Sequence, residues 1–271
     1  MVNVRHAAVA GRFYPGNAAD LADTVDRLLA DALPVSDDDP SPRAIIAPHA
    51  GYMYSGAIAA SAYNRLRPLA GTIRRVALIG PCHRLAMRGI ALPSAGAFAT
   101  PLGSVAVDRT AFDALLHLPQ VSVNDAAHAD EHSIEVHVPF LQRLLGKFTL
   151  VPMVVGRCSS EEVVQVIECL YADAETLVVV SSDLSHYLDD VSARRIDAET
   201  CRAIEALEPD AIGVDQACGR IPVMALLTFA RRHRLTATTL DLRNSGDTAG
   251  DRRRVVGYGA WMFTERPDDE H

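Results

Sequence analysis

Several stretches of this chain end an apolar run in residues able to do acid–base or metal chemistry. IIAPHAGYMYSG places His49 just past two isoleucines, and LIGPCHR places Cys82 and His83 after another such run. VVSSDLSHY brings Asp183 and His186, and LDLRNSGD brings Asp247. Two neutral imidazoles and one carboxylate can hold a divalent ion on one face and leave positions open. That arrangement suits non-haem Fe(II), and zinc or copper accept it too. A further histidine near the open positions, such as His186, could serve as a base towards a bound phenol, water or dioxygen-derived species.

ADEHSIEVH adds Asp130, Glu131, His132, Glu135 and His137 within nine residues. His132 and Glu135 are three apart and share a face if the segment is helical. The segment also reads as a capped helix start or as a source of carboxylates that orient ligand histidines. HExxH spacing is absent, which excludes a zincin. Each residue has a plainer reading alone: a histidine after a strand caps it, and Asp183 or Asp247 closes a turn. Three histidines at equivalent strand exits favour a shared site over coincidence.

Nucleophilic catalysis is the competing chemistry. Cys218 precedes a helix whose dipole could lower its pKa, although a buried structural cysteine is the simpler reading. Cys82 and His83 are adjacent on an extended exit and point apart, so they make a poor dyad. Arg220 suits either an anionic ligand or a structural ion pair. Neither a GxSxG elbow nor a P-loop nor a GxGxxG is present.

Strands alternating with helices must position these residues. Residues 17–33 predict an amphipathic helix with Leu21, Val25, Leu28, Leu29 and Leu33 on one stripe. Strands are predicted at 43–47, 74–80, 149–156, 176–186, 236–242 and 254–263, and GIALPS and SVAVD as an antiparallel excursion. Helices are predicted at 55–69, 130–145 with a break near Pro139, 159–173, 193–207 and 221–233. SDDDPSP (36–42) reads as a loop. The pattern predicts an α/β fold, one domain over 1–271, with a largely parallel or mixed central sheet flanked by helices. Ligands then gather at the carboxyl ends of the strands.

Bulk properties narrow the partners. Lys and Arg number 26 against 34 Asp and Glu, a net of −8, which argues against a nucleic-acid partner. The first residues lack the apolar core of a secretory leader, and no run approaches the ~20 apolar residues of a membrane span. Five scattered cysteines without a CxxC suggest a reducing cytoplasm.

Taken in order, IIAPHAGYMYSG, LIGPCHR, DEHSIEVHVPFLQ, VVSSDLSHY and CGRIPVMALL strongly resemble the Memo family, also described as protein B of the AmmeMemoRadiSam system. The resemblance runs from AGRFYPG (10–16) to VVGYGAWMF (255–263). It implies a fold like that of class III extradiol dioxygenases, a bound iron or copper ion, and a functional link to a radical SAM enzyme. Carried over, His49 and His83 are the imidazole ligands. Asp183 and His186 lie beside the metal, with His132 as a further catalytic candidate. Tyr52, Glu135, Cys218 and Arg220 orient ligands or face substrate. For the third ligand, animal relatives have a cysteine in the stretch corresponding to NSGD and the dioxygenases a glutamate. Asp247 is the nearest candidate here, and a carboxylate favours iron over Cu(I). The expected function is oxygen-dependent or redox chemistry on a small aromatic or peptide-borne substrate. The alternative is a non-catalytic peptide-binding adaptor using the same cleft, as animal Memo proteins are described.

Overall fold

Four apolar runs, AIIA, RVALIGP, TLVPMVV and TLVVVS, are buried along almost their whole length. Strands of that kind belong in the middle of a parallel sheet covered on both faces. A computed structural model places them there and describes residues 3–36 and 39–266; Asp37 and Asp38 of the predicted loop lie outside the described residues. The strands are β1 (Val4–Arg5), β2 (Ala44–Ala47), β3 (Arg75–Pro81), β4 (Ile90–Leu92), β5 (Ala97–Thr100) and β6 (Gly103–Ala106). They continue as β7 (Val121–Val123), β8 (Thr149–Val155), β9 (Thr176–Ser181), β10 (His186–Leu188), β11 (Leu235–Asn244) and β12 (Val255–Glu265). The main sheet runs β10-β12-β2-β9-β3-β8-β4-β7, with β11 on β12. β2, β9, β3 and β8 are mutually parallel, whereas β12 and β4 pair antiparallel to β2 and β8. The sheet is therefore mixed and flanked by helices, as the alternation predicts.

Helix ends follow local chemistry. Ala18–Asp31 is capped by Asn17, whose side chain accepts from Asp20 N–H, and it buries Leu21, Val25 and Leu29. It stops at Asp31, because Ala32 turns extended, and so Leu33 leaves the predicted stripe and is 65% exposed. Ser160–Tyr171 begins with a reciprocal Ser159–Glu162 capping box. Pro139 breaks the predicted 130–145 helix into a short turn, His132–Glu135, and Val138–Leu145, where the proline sits in the first turn.

The predicted excursion divides. Residues of GIALPS form β4 and join the main sheet, while β6 pairs with β5 in a small sheet that also holds β1. The short helices Arg109–Leu115 and Asp125–Ala129 were not among the predicted elements. Trp261 and Phe263 of β12 are fully buried in the core. Among the described residues no helix is long and apolar enough to cross a membrane.

Candidate metal centre

Three neighbouring strands, β2, β9 and β3, deliver their carboxyl ends side by side. His49 follows β2 by two residues, His83 follows β3 by two, and Ser181 closes β9. A fourth contributor, His132, opens the turn His132–Glu135. One donor atom each from His49, His83 and His132 lies within 4.8 Å of the others. Ring centroids are 5.1 Å apart for His49–His83, 5.4 Å for His49–His132 and 4.7 Å for His83–His132. His49 is buried, His132 partly so, and the His83 side chain is 28% exposed, so the cluster opens to solvent on the His83 side.

Proton accounting assigns the donor atom of His49. Ser181 Oγ lies 2.7 Å from Ser133 O, 2.6 Å from His49 Nδ1 and 2.9 Å from His137 Nε2. A carbonyl only accepts, so the single hydroxyl proton goes to Ser133 O and both ring nitrogens donate to Ser181. His49 is thereby the Nδ1–H tautomer with its Nε2 lone pair free. His137, protonated on Nε2, accepts on Nδ1 from Tyr63 OH at 2.8 Å. Burial supports these states: it pushes His49 well below its ordinary pKa, His137 down to about 3 and Tyr63 well above its usual value.

Glu131 performs the same task for His83. Its carboxylate, 1% exposed, accepts from His83 Nδ1 at 2.9 Å and from the backbone N–H groups of His83 at 2.6 Å and Ser133 at 2.9 Å. His83 Nε2 is left as the free donor atom. Burial pushes the Glu131 pKa up, but the hydrogen bond and charge of His83 and the backbone donors outweigh it and hold the group at about 2. His132 Nδ1 is 3.4 Å from Glu131 Oε1 without a hydrogen bond, and it is a buried nitrogen with no partner among the described residues. Burial and the neighbouring His83 lower the His132 pKa to about 4. Three imidazoles, two of them holding an orienting partner through Nδ1 and one carrying an unpartnered nitrogen, are a donor set that fits a transition-metal ion.

Asp183 and Cys218 flank His49. Asp183 Oδ1 accepts from His49 N–H at 2.8 Å, and Oδ2 lies 4.0 Å from Nε2. Burial raises the Asp183 pKa to about 7 despite those backbone hydrogen bonds. Cys218 Sγ accepts from Asp183 N–H at 3.2 Å and lies 3.3 Å from His49 Nε2. Gly219 makes this approach sterically feasible: a Cβ there would meet Ser181 O at 2.5 Å. The expectation that a helix terminus could activate Cys218 is not met, because burial and the Asp183 charge raise its pKa far above the ordinary thiol range. Cys82 is raised too, by burial. His186 Nδ1 donates to Leu184 O at 2.7 Å, leaving Nε2 unprotonated, and burial lowers its pKa.

Other expected residues are engaged in contacts of their own. Asp247 is no part of the cluster: Oδ1 takes Arg194 at 2.5 Å, and Oδ2 accepts from Asn244 N–H at 3.0 Å in a capping box that starts Ser245–Thr248. Glu135 is tied to the N-terminal segment, accepting from Arg5, Tyr14 OH and the Ala8 and Val9 backbone. Tyr52 donates to Val136 O at 2.7 Å, and Arg220 Nε to Ile212 O at 2.8 Å. The expected source of an orienting carboxylate in ADEHSIEVH is Glu131, whereas Ser181 and His137 are not predicted in orienting roles. His137 stands in the same run, but only its contacts reveal the role.

An α/β sheet with a histidine cluster at the carboxyl ends of its parallel strands defines a class of proteins compatible with metal binding. A family model described as Memo-like protein matches residues 5–262, and the chain belongs to the Memo family. Its fold is accordingly extradiol-dioxygenase-like. The chain is 33% identical to a MEMO1 family protein of Aquifex aeolicus, with 97% of this chain and 100% of the relative covered. It is 35% identical to one from Methanopyrus kandleri, covering 96% and 98% respectively. For one from Archaeoglobus fulgidus the identity is 36%, covering 96% and 99%.

Proposed function

We propose that His49, His83 and His132 bind one divalent transition-metal ion, Fe(II) foremost, for oxygen-dependent or redox chemistry on a small aromatic or peptide-borne substrate. The observation that carries this reading is the three imidazoles with donor atoms within 4.8 Å of one another. The dioxygenase-like fold and the Asp183 carboxylate 4.0 Å from His49 Nε2 support iron. Bound there, the ion supplies a Lewis-acid and redox centre. The protein's own residues do the rest. Glu131 and Ser181 keep the ligand nitrogens aimed, and the neutral His186 takes a proton from a substrate hydroxyl at Nε2. Asp183, with a pKa of about 7, holds or releases a proton beside the ligands near neutral pH. We further propose a cytoplasmic protein working alongside a radical SAM enzyme. The family resemblance supports the partner, and five free cysteines accord with a reducing compartment.

Anaerobic reconstitution followed by elemental analysis tests the reading and identifies the ion. The wild type is expected to retain about one ion per chain, and His49→Ala and His132→Ala to lose it. His186→Ala is expected to keep the ion but lose turnover. A wild type that takes up no metal under reducing conditions overturns the proposal, and a wild type without turnover whose ligand binding survives His186→Ala favours a binding protein.

A further inference from the structure

A cleft of about 650 Å³ adjoins the histidine cluster. Its wall includes Cys82, next to His83, and Cys218, whose Sγ is 3.3 Å from His49 Nε2. Arg88, Arg157 and Arg220 line the cleft, and among the described residues no acidic side chain does. Arg88 and Arg157 are direct partners in an isolated β-bridge between the segments leading into β4 and out of β8. Gly156 allows those backbones to meet, since a Cβ there would come within 2.5 Å of Met87 O. The bridge sets the two arginine backbones side by side, and both residues are exposed to solvent.

Several arginines elsewhere have carboxylate partners: Arg5, Arg75, Arg143, Arg194, Arg232 and Arg243. Neither Arg88 nor Arg157 makes an ion pair among the described residues, although the chain carries a net charge of −8. A guanidinium pair binds carboxylate or phosphate oxygens through parallel N–H donors. The lining also includes the apolar residues Met87, Val214 and Ile221. The volume suits a small ligand, within the roughly 300–1,000 Å³ common for such sites.

We propose that this cleft binds a small organic anion, its carboxylate or phosphate held between Arg88 and Arg157. The apolar part runs past Met87 and Ile221 towards Cys218 and the histidines. This names the substrate class of the metal centre proposed above, and it rests on that reading only for the direction of the reactive end.

Calorimetric titration with 4-phenylbutyrate, phenyl phosphate and neutral 4-phenylbutyramide tests it. At least one anion is expected to bind roughly tenfold more tightly than the amide, with an advantage that shrinks as salt rises. Comparing the two anions separates carboxylate from phosphate recognition. The double variant Arg88→Ala/Arg157→Ala is expected to lose the preference, and Arg88→Lys/Arg157→Lys to keep part of it. Equal binding of amide and anions, no anion binding at millimolar concentration, or unchanged anion affinity in the alanine double variant overturns the proposal. Metal content separates the two readings. The arginine double variant should load metal like the wild type, whereas His49→Ala should lose metal and still prefer the anion.

Discussion

The two flanks of the histidine cluster orient their rings by different chemistry. On the β9 flank a neutral hydroxyl, Ser181, accepts from His49 and His137 and donates to Ser133 O. On the other flank a buried carboxylate, Glu131, accepts from the His83 ring and two backbone N–H groups, with His132 3.4 Å away. Both devices free Nε2 of the histidine they hold. The neutral device suits the fully buried His49, where a charge would pay a large desolvation cost. The charged device suits the half-open side, where three N–H donors carry the buried carboxylate. A carboxylate partner also makes its imidazole a more basic ligand than a hydroxyl does, so the flanks should contribute unequally to metal affinity.

The largest effect is expected from Glu131→Ala. It strands two backbone N–H groups and one ring N–H, at about 1–3 kcal/mol for each donor that stays buried. Metal affinity should fall by roughly 100-fold, the upper end for loss of an orienting partner. Competition against a chelator and a chemical-denaturation midpoint would measure both. An affinity within twofold of the wild type would remove Glu131 from the orienting role.

Acid separates the flanks next. His137, held at about 3 by burial, has an ordinary value of 6.5, so the unfolded chain takes up that proton first as pH falls. Its contribution to stability is complete above about 6.5 and drains away towards about 3, by up to about 1.4 kcal/mol per pH unit. Glu131, at about 2 against an ordinary 4.5, begins to lose its contribution only below about 4.5. In metal-free protein His137→Phe should therefore flatten the stability slope between pH 6.5 and 4.5. Glu131→Gln should leave that slope alone and soften the fall below 4.5. Equal slopes for His137→Phe and wild type would show that His137 is not kept neutral by the fold.

A smaller change, about tenfold in metal affinity, is expected from Ser181→Ala. Histidine ¹⁵N spectra of the metal-free protein provide an independent readout. The wild type should show His49 protonated on Nδ1, and the variant a mixture of tautomers. An unmixed Nδ1–H form in the variant would show that Ser181 does not select the tautomer.

The strand exits were legible because β2, β3 and β9 are buried on both faces and read as plain apolar runs. Once they are known to be parallel neighbours, His49, His83 and Asp183 must converge. The orienting residues were less visible. Helical spacing pairs His132 with Glu135, but the carboxylate beside it is Glu131, the N-cap, whose side chain turns back rather than following the helix period. Ser181 and His137 meet from segments 44 residues apart, a contact no local pattern encodes.

Asp247 misled for a topological reason, and it defines the smallest expected effect. β11 runs parallel to β2, so its end lies at the same edge of the sheet, but β12 stands between them. The polar NSGD exit then closes on itself: Asn244 caps the turn, and Asp247 returns to Asn244 N–H and to Arg194. Asp247→Ala should therefore leave metal content at the wild-type level and cost about 1 kcal/mol, the worth of a lost cap and a partly exposed ion pair. Elemental analysis beside a denaturation curve distinguishes the outcomes. Loss of the ion with an unchanged denaturation midpoint would restore Asp247 to the ligand set and require the Asn244–Thr248 turn to open when metal binds.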